Sequence, residues 1–341
     1  MKTVLEHLTA LVACDTTNPP RAIDGQGIFA YLRDALPGFT CEMWDHGDGC
    51  ISLQATRGEA KTLFNCHIDT VPVAAGWQSD PFALNVENDR AVGLGACDIK
   101  GAAACMLSAA ASTSEPIALL FTSDEEAGNS TCVREWIGLG RQFERVIVAE
   151  PTLGRPVSAH RGIGTCTGTF HGVPGHASHQ RALADSAVHE AIRWATRALE
   201  AAEKAESETF GSLAGIRMNL GRIEGGVKPN MIAGETTVRF GVRPLPHQDP
   251  LEVLQRLWQL APDPSRVTWT PGFIAPPLQS DVPGDSVDFW TEAALFGAAG
   301  YSAVVLGPGD IAQAHTAGEW VELTQLAEVT QTYRAIIGGA F

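Results

Sequence analysis

The sequence lacks several signatures whose absence narrows its function. None of its eight cysteines (14, 41, 50, 66, 97, 105, 132 and 166) falls in a C-x-x-C pair, which argues against a thiolate zinc finger or an iron–sulfur site. Scattered through apolar contexts, they read as buried thiols of a reducing compartment. No segment approaches 18 uncharged apolar residues, so no transmembrane helix is expected. The first residues lack the apolar run of a signal peptide; Val4, Leu5, Leu8, Leu11 and Val12 follow helical spacing instead. Positive charge is scarce, with 24 Lys and Arg against 39 Asp and Glu and a net charge of −15. That balance disfavours nucleic acid and anionic membranes as partners. Gly93-Leu94-Gly95 lacks the third glycine and the later acid of a dinucleotide fingerprint. A cytoplasmic protein is expected.

What is present suits an ordinary globular chain. Hydrophobic residues make up 45% and charged residues 18% of 341 positions, a length suited to two domains. The stretch Leu63–Pro72 is a short apolar run that ends in a histidine and an acid. Side chains on a strand alternate faces, so His67 and Asp69 point the same way and Cys66 the other. His67 reads as a metal ligand whose second ring nitrogen Asp69 holds. Alone the spacing carries little, because a buried structural histidine satisfies it equally well.

Other strands end in the same manner. Pro116–Ser123 runs into Asp124-Glu125-Glu126, and Arg145–Ala149 runs into Glu150. Asp98 lies in a glycine-flanked loop, and His315 follows the strand Ala303–Leu306. Strands alternating with helices predict an α/β fold, a mixed, largely parallel sheet covered by helices on both faces. Ligands of such sheets sit beyond the carboxyl ends of the strands. From about residue 163 the order becomes βαββαβ, a ferredoxin-like unit. The expected division is therefore a catalytic domain at 1–162 and 275–341, interrupted by a second domain at 163–274.

His67, Asp98, Glu126, Glu150 and His315 supply two imidazoles and three carboxylates. That set suits zinc, with cobalt or manganese as alternatives. Five ligands exceed the need of one catalytic zinc with an open position and fit two ions sharing a carboxylate. Adjacent acids at a strand end point apart, so Glu126 can ligate while Glu125 faces the water as general base. Read alone, the acidic triplet is also a solvated turn. His171, His176 and His179 lie close together, but their loop is glycine-rich and holds no acid, which argues against a third metal site.

Over nearly its whole length the chain resembles the M20 family of co-catalytic metal hydrolases. The resemblance rests on His67-Ile68-Asp69, Asp98-Ile99-Lys100-Gly101, Asp124-Glu125-Glu126, Glu150-Pro151, Gly172–Ser178 and Ala314-His315-Thr316. Within the family it is most similar to acetylornithine deacetylases, and especially to the N-acetylcitrulline deacetylase branch, on Val287–Ala293 and Gly307–His315. The resemblance implies two divalent ions per subunit, one on His67 and Glu150, the other on Glu126 and His315, with Asp98 bridging. It also implies a cis peptide after Asp98.

In that scheme Glu125 takes a proton from bridging water, hydroxide attacks the acyl carbonyl, and Glu125 then protonates the leaving amine. His176 reaches the active site of a partner subunit and stabilises the oxyanion, so a homodimer formed through the 163–274 lid is implied. Asn230 and Arg243 hold the carboxylate end of the substrate. Lys228 and Arg161 are weaker candidates, and Glu292 is a candidate for sensing the substrate's polar tail. The expected reaction removes acetyl from N-acetyl-L-citrulline or N-acetyl-L-ornithine in arginine biosynthesis. The alternatives are a dipeptidase or aminoacylase, a succinyl-diaminopimelate desuccinylase, and, from another class, a non-catalytic binding protein on the same scaffold.

Overall fold

The computed structural model describes residues 3–20 and 23–340. By its internal contacts the chain divides into two compact units. The first comprises Met1–Ser158, Ser280–Gly284 and Thr291–Phe341, and the second Ala159–Gln279 and Asp285–Trp290.

The first unit is built on a mixed sheet. Its strands lie side by side in the order Thr40–Asp45, Ile51–Arg57, Ile117–Thr122, Thr62–His67, Arg145–Val148 and Ser302–Val305. The first two pairings are antiparallel and the next three parallel. The Thr62–His67 strand is flanked by parallel neighbours on both sides and is buried from Leu63 onward, so its apolar residues are continuous rather than alternating.

Helices cover both faces of this sheet. On one, Lys100–Ala111 packs between Val4–Val12 and Leu323–Ile337. Its small residues allow that close approach; a Cβ at Gly101 would lie 2.4 Å from the Ala96 carbonyl oxygen. Phe64 meets Tyr333 of the last helix edge-on, with centroids 5.4 Å apart, anchoring the strand that carries His67. On the other face Trp136 of Thr131–Gly138 packs on Phe143 and Phe296, and its Nε1 donates to Gln54. The first helix starts at a capping box in which Thr3 and Glu6 exchange hydrogen bonds.

Asn85–Glu87 and Arg90–Val92 form a hairpin. It turns through Asn88 and Asp89, both with positive φ, and Trp320–Glu322 adds a third strand.

The second unit contains a four-stranded antiparallel sheet ordered Arg217–Gly225, Glu235–Arg243, Ile163–His171, Val267–Ala275. With the helices Ala187–Lys204 and Pro250–Trp258 the chain order is βαββαβ. Trp194, Phe170, Phe240 and Trp269 fill its core, and Trp194 Nε1 donates to the Leu257 carbonyl. Among the described residues no helix is long and apolar enough to cross a membrane, and no disulfide joins any of the eight cysteines.

Candidate metal centre

The sheet order explains why distant acids meet. Ile117–Thr122, Thr62–His67 and Arg145–Val148 are adjacent and parallel, so Glu126, His67 and Glu150 leave the same edge. Ser302–Val305 extends that edge, and its following loop reaches His315. The loops after the last two strands bind each other: Leu153 N donates to Gly309 O and Gly154 N to Gly307 O. His315 adopts a left-handed backbone, φ 59°, uncommon for a residue with a side chain. Asp98 enters on the loop between Arg90–Val92 and Lys100–Ala111, with a cis peptide to Ile99, as the resemblance implies.

Among the described residues two groups of possible ligands form, His67 with Asp98 and Glu150, and Asp98 with Glu126 and His315. Asp98 belongs to both. Its Oδ1 lies 3.2 Å from His67 Nε2, and its Oδ2 lies 3.4 Å from His315 Nε2. His315 Nε2 is 3.1 Å from Glu126 Oε1, and His67 Nε2 is 3.9 Å from Glu150 Oε1. The other nitrogen of His67, Nδ1, is 3.1 Å from the main-chain oxygen of Asp69 and 3.4 Å from its Oδ1. Donation from Nδ1 to that carbonyl leaves the Nε2 lone pair facing Asp98 and Glu150. The backbone oxygen of Asp69 is thus the nearer partner, where the sequence suggested its carboxylate. The carboxylate does other work: Oδ2 accepts from Asn18 Nδ2 at 3.0 Å and from Glu126 N at 3.1 Å.

The electrostatics are those of a site built for added positive charge. Burial pushes Glu150 well above the usual carboxylate range, with Asp98 adding to it. Burial also raises Glu126. Glu125 keeps some solvent exposure, yet dense surroundings push it up to about 8, helped by Glu126, Asp69 and Asp98. Burial opposes the Asp98 carboxylate too, but the neighbouring imidazoles of His315 and His67 outweigh it and hold the acid below its ordinary range. Asp98 and Glu126 push His315 up to about 10. The buried Oδ1 of Asp98 has no hydrogen-bond partner. Two imidazoles and three carboxylates, with acids raised and an oxygen left unsatisfied, fit divalent cations.

The acidic triplet divides its labour. Asp124 is fully buried and accepts from Thr131 N and Cys132 N, capping the helix that starts there. Glu126 joins the ligand group and Glu125 stands between the two. Glu292 is 1% exposed at the start of Ala293–Ala298, with Oε1 unpaired. Burial raises it well above its ordinary range, and the charges of Glu125 and Asp124 add to that. It offers no surface to a substrate in this conformation.

The remaining candidates belong to the second unit. His176 is exposed, with Nδ1 2.8 Å from Ser178 Oγ. Gly175–His176 pairs with Met231–Ile232, and Ala177 N donates to Asn230 O, so the His176 and Asn230 loops are neighbours. Lys228 is exposed. Arg243 is half-buried and its guanidinium is lowered by that burial. Arg161 is fully buried and donates to Asp288 Oδ1 and to the carbonyls of Gly215, Ala214 and Arg243, which makes it an internal tie. Sequence reasoning missed Asn18 and Glu319. Asn18 precedes two prolines and Glu319 follows a glycine, contexts that carry no local signal of a site.

Comparison with known proteins agrees with this architecture. Residues 158–267 match the peptidase dimerisation domain family. The chain is 46% identical to N-acetyl-L-citrulline deacetylase of Xanthomonas campestris pv. campestris, covering 100% of this chain and 99% of the relative. It is 32% identical to acetylornithine deacetylase of Myxococcus xanthus, over 94% of this chain and 92% of that protein. Among solved structures, an M20 family metallo-carboxypeptidase from Sulfolobus solfataricus superposes with a TM-score of 0.74 at 16% identity, covering 99% of each chain. The chain belongs to the M20 family of metallopeptidases and deacylases, among its acetylornithine and N-acetylcitrulline deacetylase-like members.

Proposed function

We propose that the protein is a metal-dependent amidohydrolase that removes acetyl from N-acetyl-L-citrulline, with N-acetyl-L-ornithine as the second candidate, in arginine biosynthesis. The observation that carries this reading is the pair of ligand groups sharing Asp98 beside the partly exposed Glu125, in a chain 46% identical to a protein named for the first of those reactions. His67 and Glu150 would hold one ion, Glu126 and His315 the other, and Asp98 both. Zinc fits this donor set, as do cobalt and manganese. Two such ions supply Lewis-acid polarisation of the acyl carbonyl and a lowered water pKa, towards ~7.

The chain's own groups do the rest. Glu125 accepts a proton from the attacking water and returns it to the nitrogen as the C–N bond breaks, releasing acetate and the free amine. His176 is assigned to the oxyanion of a partner subunit's site, which makes the working form a homodimer. Arg243, Asn230 and Lys228 are assigned to the substrate carboxylate, for which an arginine fork is well shaped. Glu292, being buried, is assigned a place behind Glu125, acting on the substrate's tail indirectly. The absence of disulfides among the described cysteines suits a cytoplasmic location.

The test is a kinetic comparison of acetylcitrulline, acetylornithine and a dipeptide panel on zinc- or cobalt-loaded enzyme. Acetylornithine carries a terminal ammonium and acetylcitrulline a neutral ureido group, so kcat/KM separates them. Preference for dipeptides over both would overturn the deacetylase reading.

A further inference from the structure

The loop that delivers Asp98 is held from an unexpected quarter. Every amide from Gly93 to Asp98 has a partner, and four of the six donate to a single residue, Glu319. Gly93 N donates to its main-chain oxygen at 3.0 Å. Gly95 N donates to its Oε2 at 3.0 Å, and Cys97 N and Asp98 N both donate to its Oε1 at 2.9 Å. The other two amides close the loop, Leu94 N onto Pro81 O and Ala96 N onto Gly93 O. Glu319 is 1% exposed, so its carboxylate exchanges these amides for no water.

The loop itself is shaped to accept this. Gly95 has φ +78°, and a Cβ there would lie 2.7 Å from Thr70 Cγ2. Its carbonyl accepts from Lys100 N at 2.7 Å, which joins the loop to the following helix. Glu319 lies four positions after His315, and its own N–H donates to the Thr316 carbonyl. One short segment therefore carries a ligand of one group and grips the backbone of the ligand common to both.

We infer that Glu319 is a positioning residue, fixing Asp98 so that its two oxygens face the two ligand groups at once and thereby setting the affinity of both. The inference rests on the reading of these groups as a two-metal centre. A carboxylate offers acceptors to all three donors; a glutamine of the same shape turns one of its two positions into a donor facing an N–H. Losing an outer partner of a metal ligand typically weakens binding about 10–100-fold. Because Asp98 is shared, Glu319→Gln weakens both equivalents rather than one.

The experiment is a competition titration of metal-free full-length protein with Zn²⁺ against a chromophoric chelator, with Co²⁺ absorption as a record of ligand geometry. Wild-type protein takes up two equivalents. E319Q, shown folded by circular dichroism, takes up both about 10–100-fold more weakly and shows an altered Co²⁺ band. Wild-type affinities and an unchanged band in folded E319Q overturn the inference and leave the two-metal reading intact. So does selective weakening of one equivalent. Fewer than two equivalents in wild-type protein overturns the metal-centre reading, and the inference with it. Should E319Q fail to fold, hydrogen exchange on metal-free wild-type protein decides the matter. The Gly95, Cys97 and Asp98 amides exchange slowly if Glu319 holds them before metal arrives, and fast exchange overturns the inference.

Discussion

The backbone N–H of Glu126 donates to Oδ2 of Asp69 at 3.1 Å. Asp69 sits two positions from His67, in one ligand group, and thereby fixes Glu126, in the other. Asn18, fully buried, donates to the same oxygen at 3.0 Å. Asp69→Asn keeps the shape but offers one oxygen in place of two; with that oxygen kept on Glu126 N and Asn18, the new NH2 group takes the Oδ1 position, 3.4 Å from His67 Nδ1, and sets donor against donor. We expect metal affinity to fall about 10–100-fold in a Zn²⁺ competition titration; unchanged constants in the folded variant would leave Asp69 a packing residue.

Glu125→Gln separates proton transfer from binding. The variant keeps the fold and both ligand groups, because Glu125 belongs to neither. A general base or acid contributes typically about 10²–10⁴-fold, so kcat should drop by that order while metal content stays at the wild-type value. Near-normal turnover would sink the assignment.

What the sequence disclosed and what it hid divide along one physical line. His67, Glu126 and Glu150 were legible because each ends a buried apolar strand, where an unpaired ionisable group has no place. Glu319 and Asn18 were not, since the groups they bind lie 221 and 51 positions away and nothing local distinguishes them from solvated loop residues. The helix Ala293–Ala298 does not extend back to Asp288. Asp288 is engaged by Arg161, and Trp290 donates to the Pro276 carbonyl, so tertiary partners outweigh helix propensity there.

Metal should also be visible in stability. Glu150, Glu126 and Glu125 are all raised by burial and mutual repulsion, a cost that bound cations relieve. At free metal about 100-fold above Kd each site adds about 2.7 kcal/mol, so the melting temperature should rise by roughly 5 °C or more between chelator and excess Zn²⁺. Coincident melting curves in the two conditions would contradict the metal centre.

Gly307 tests how tightly the two ligand loops abut. A Cβ there would lie 2.5 Å from the main-chain oxygen of Glu150, and backbone cannot yield as a flexible side chain does. Gly307→Ala should cost about 1–3 kcal/mol in urea unfolding and weaken the Glu150-bearing site more than the other. Equal weakening of both sites would show that the strain spreads beyond Glu150.

His176 permits a test that single variants do not. It is exposed and Nδ1 is taken up by Ser178, so its Nε2 is the nitrogen left for an oxyanion. Loss of one such donor costs about 10²–10³-fold in kcat, and His176→Ala should show that loss with KM little changed. If His176 serves the partner's site, H176A and E125Q subunits complement each other in mixed dimers. The H176A subunit keeps its own Glu125 and receives histidine from the E125Q subunit, giving one intact site per mixed dimer. Co-refolding equal amounts should then restore about one quarter of wild-type activity, since half the dimers are mixed and each has one working site of two. Restoration requires the histidine to cross between subunits, because a histidine acting within its own subunit leaves every site in the mixture with one group missing.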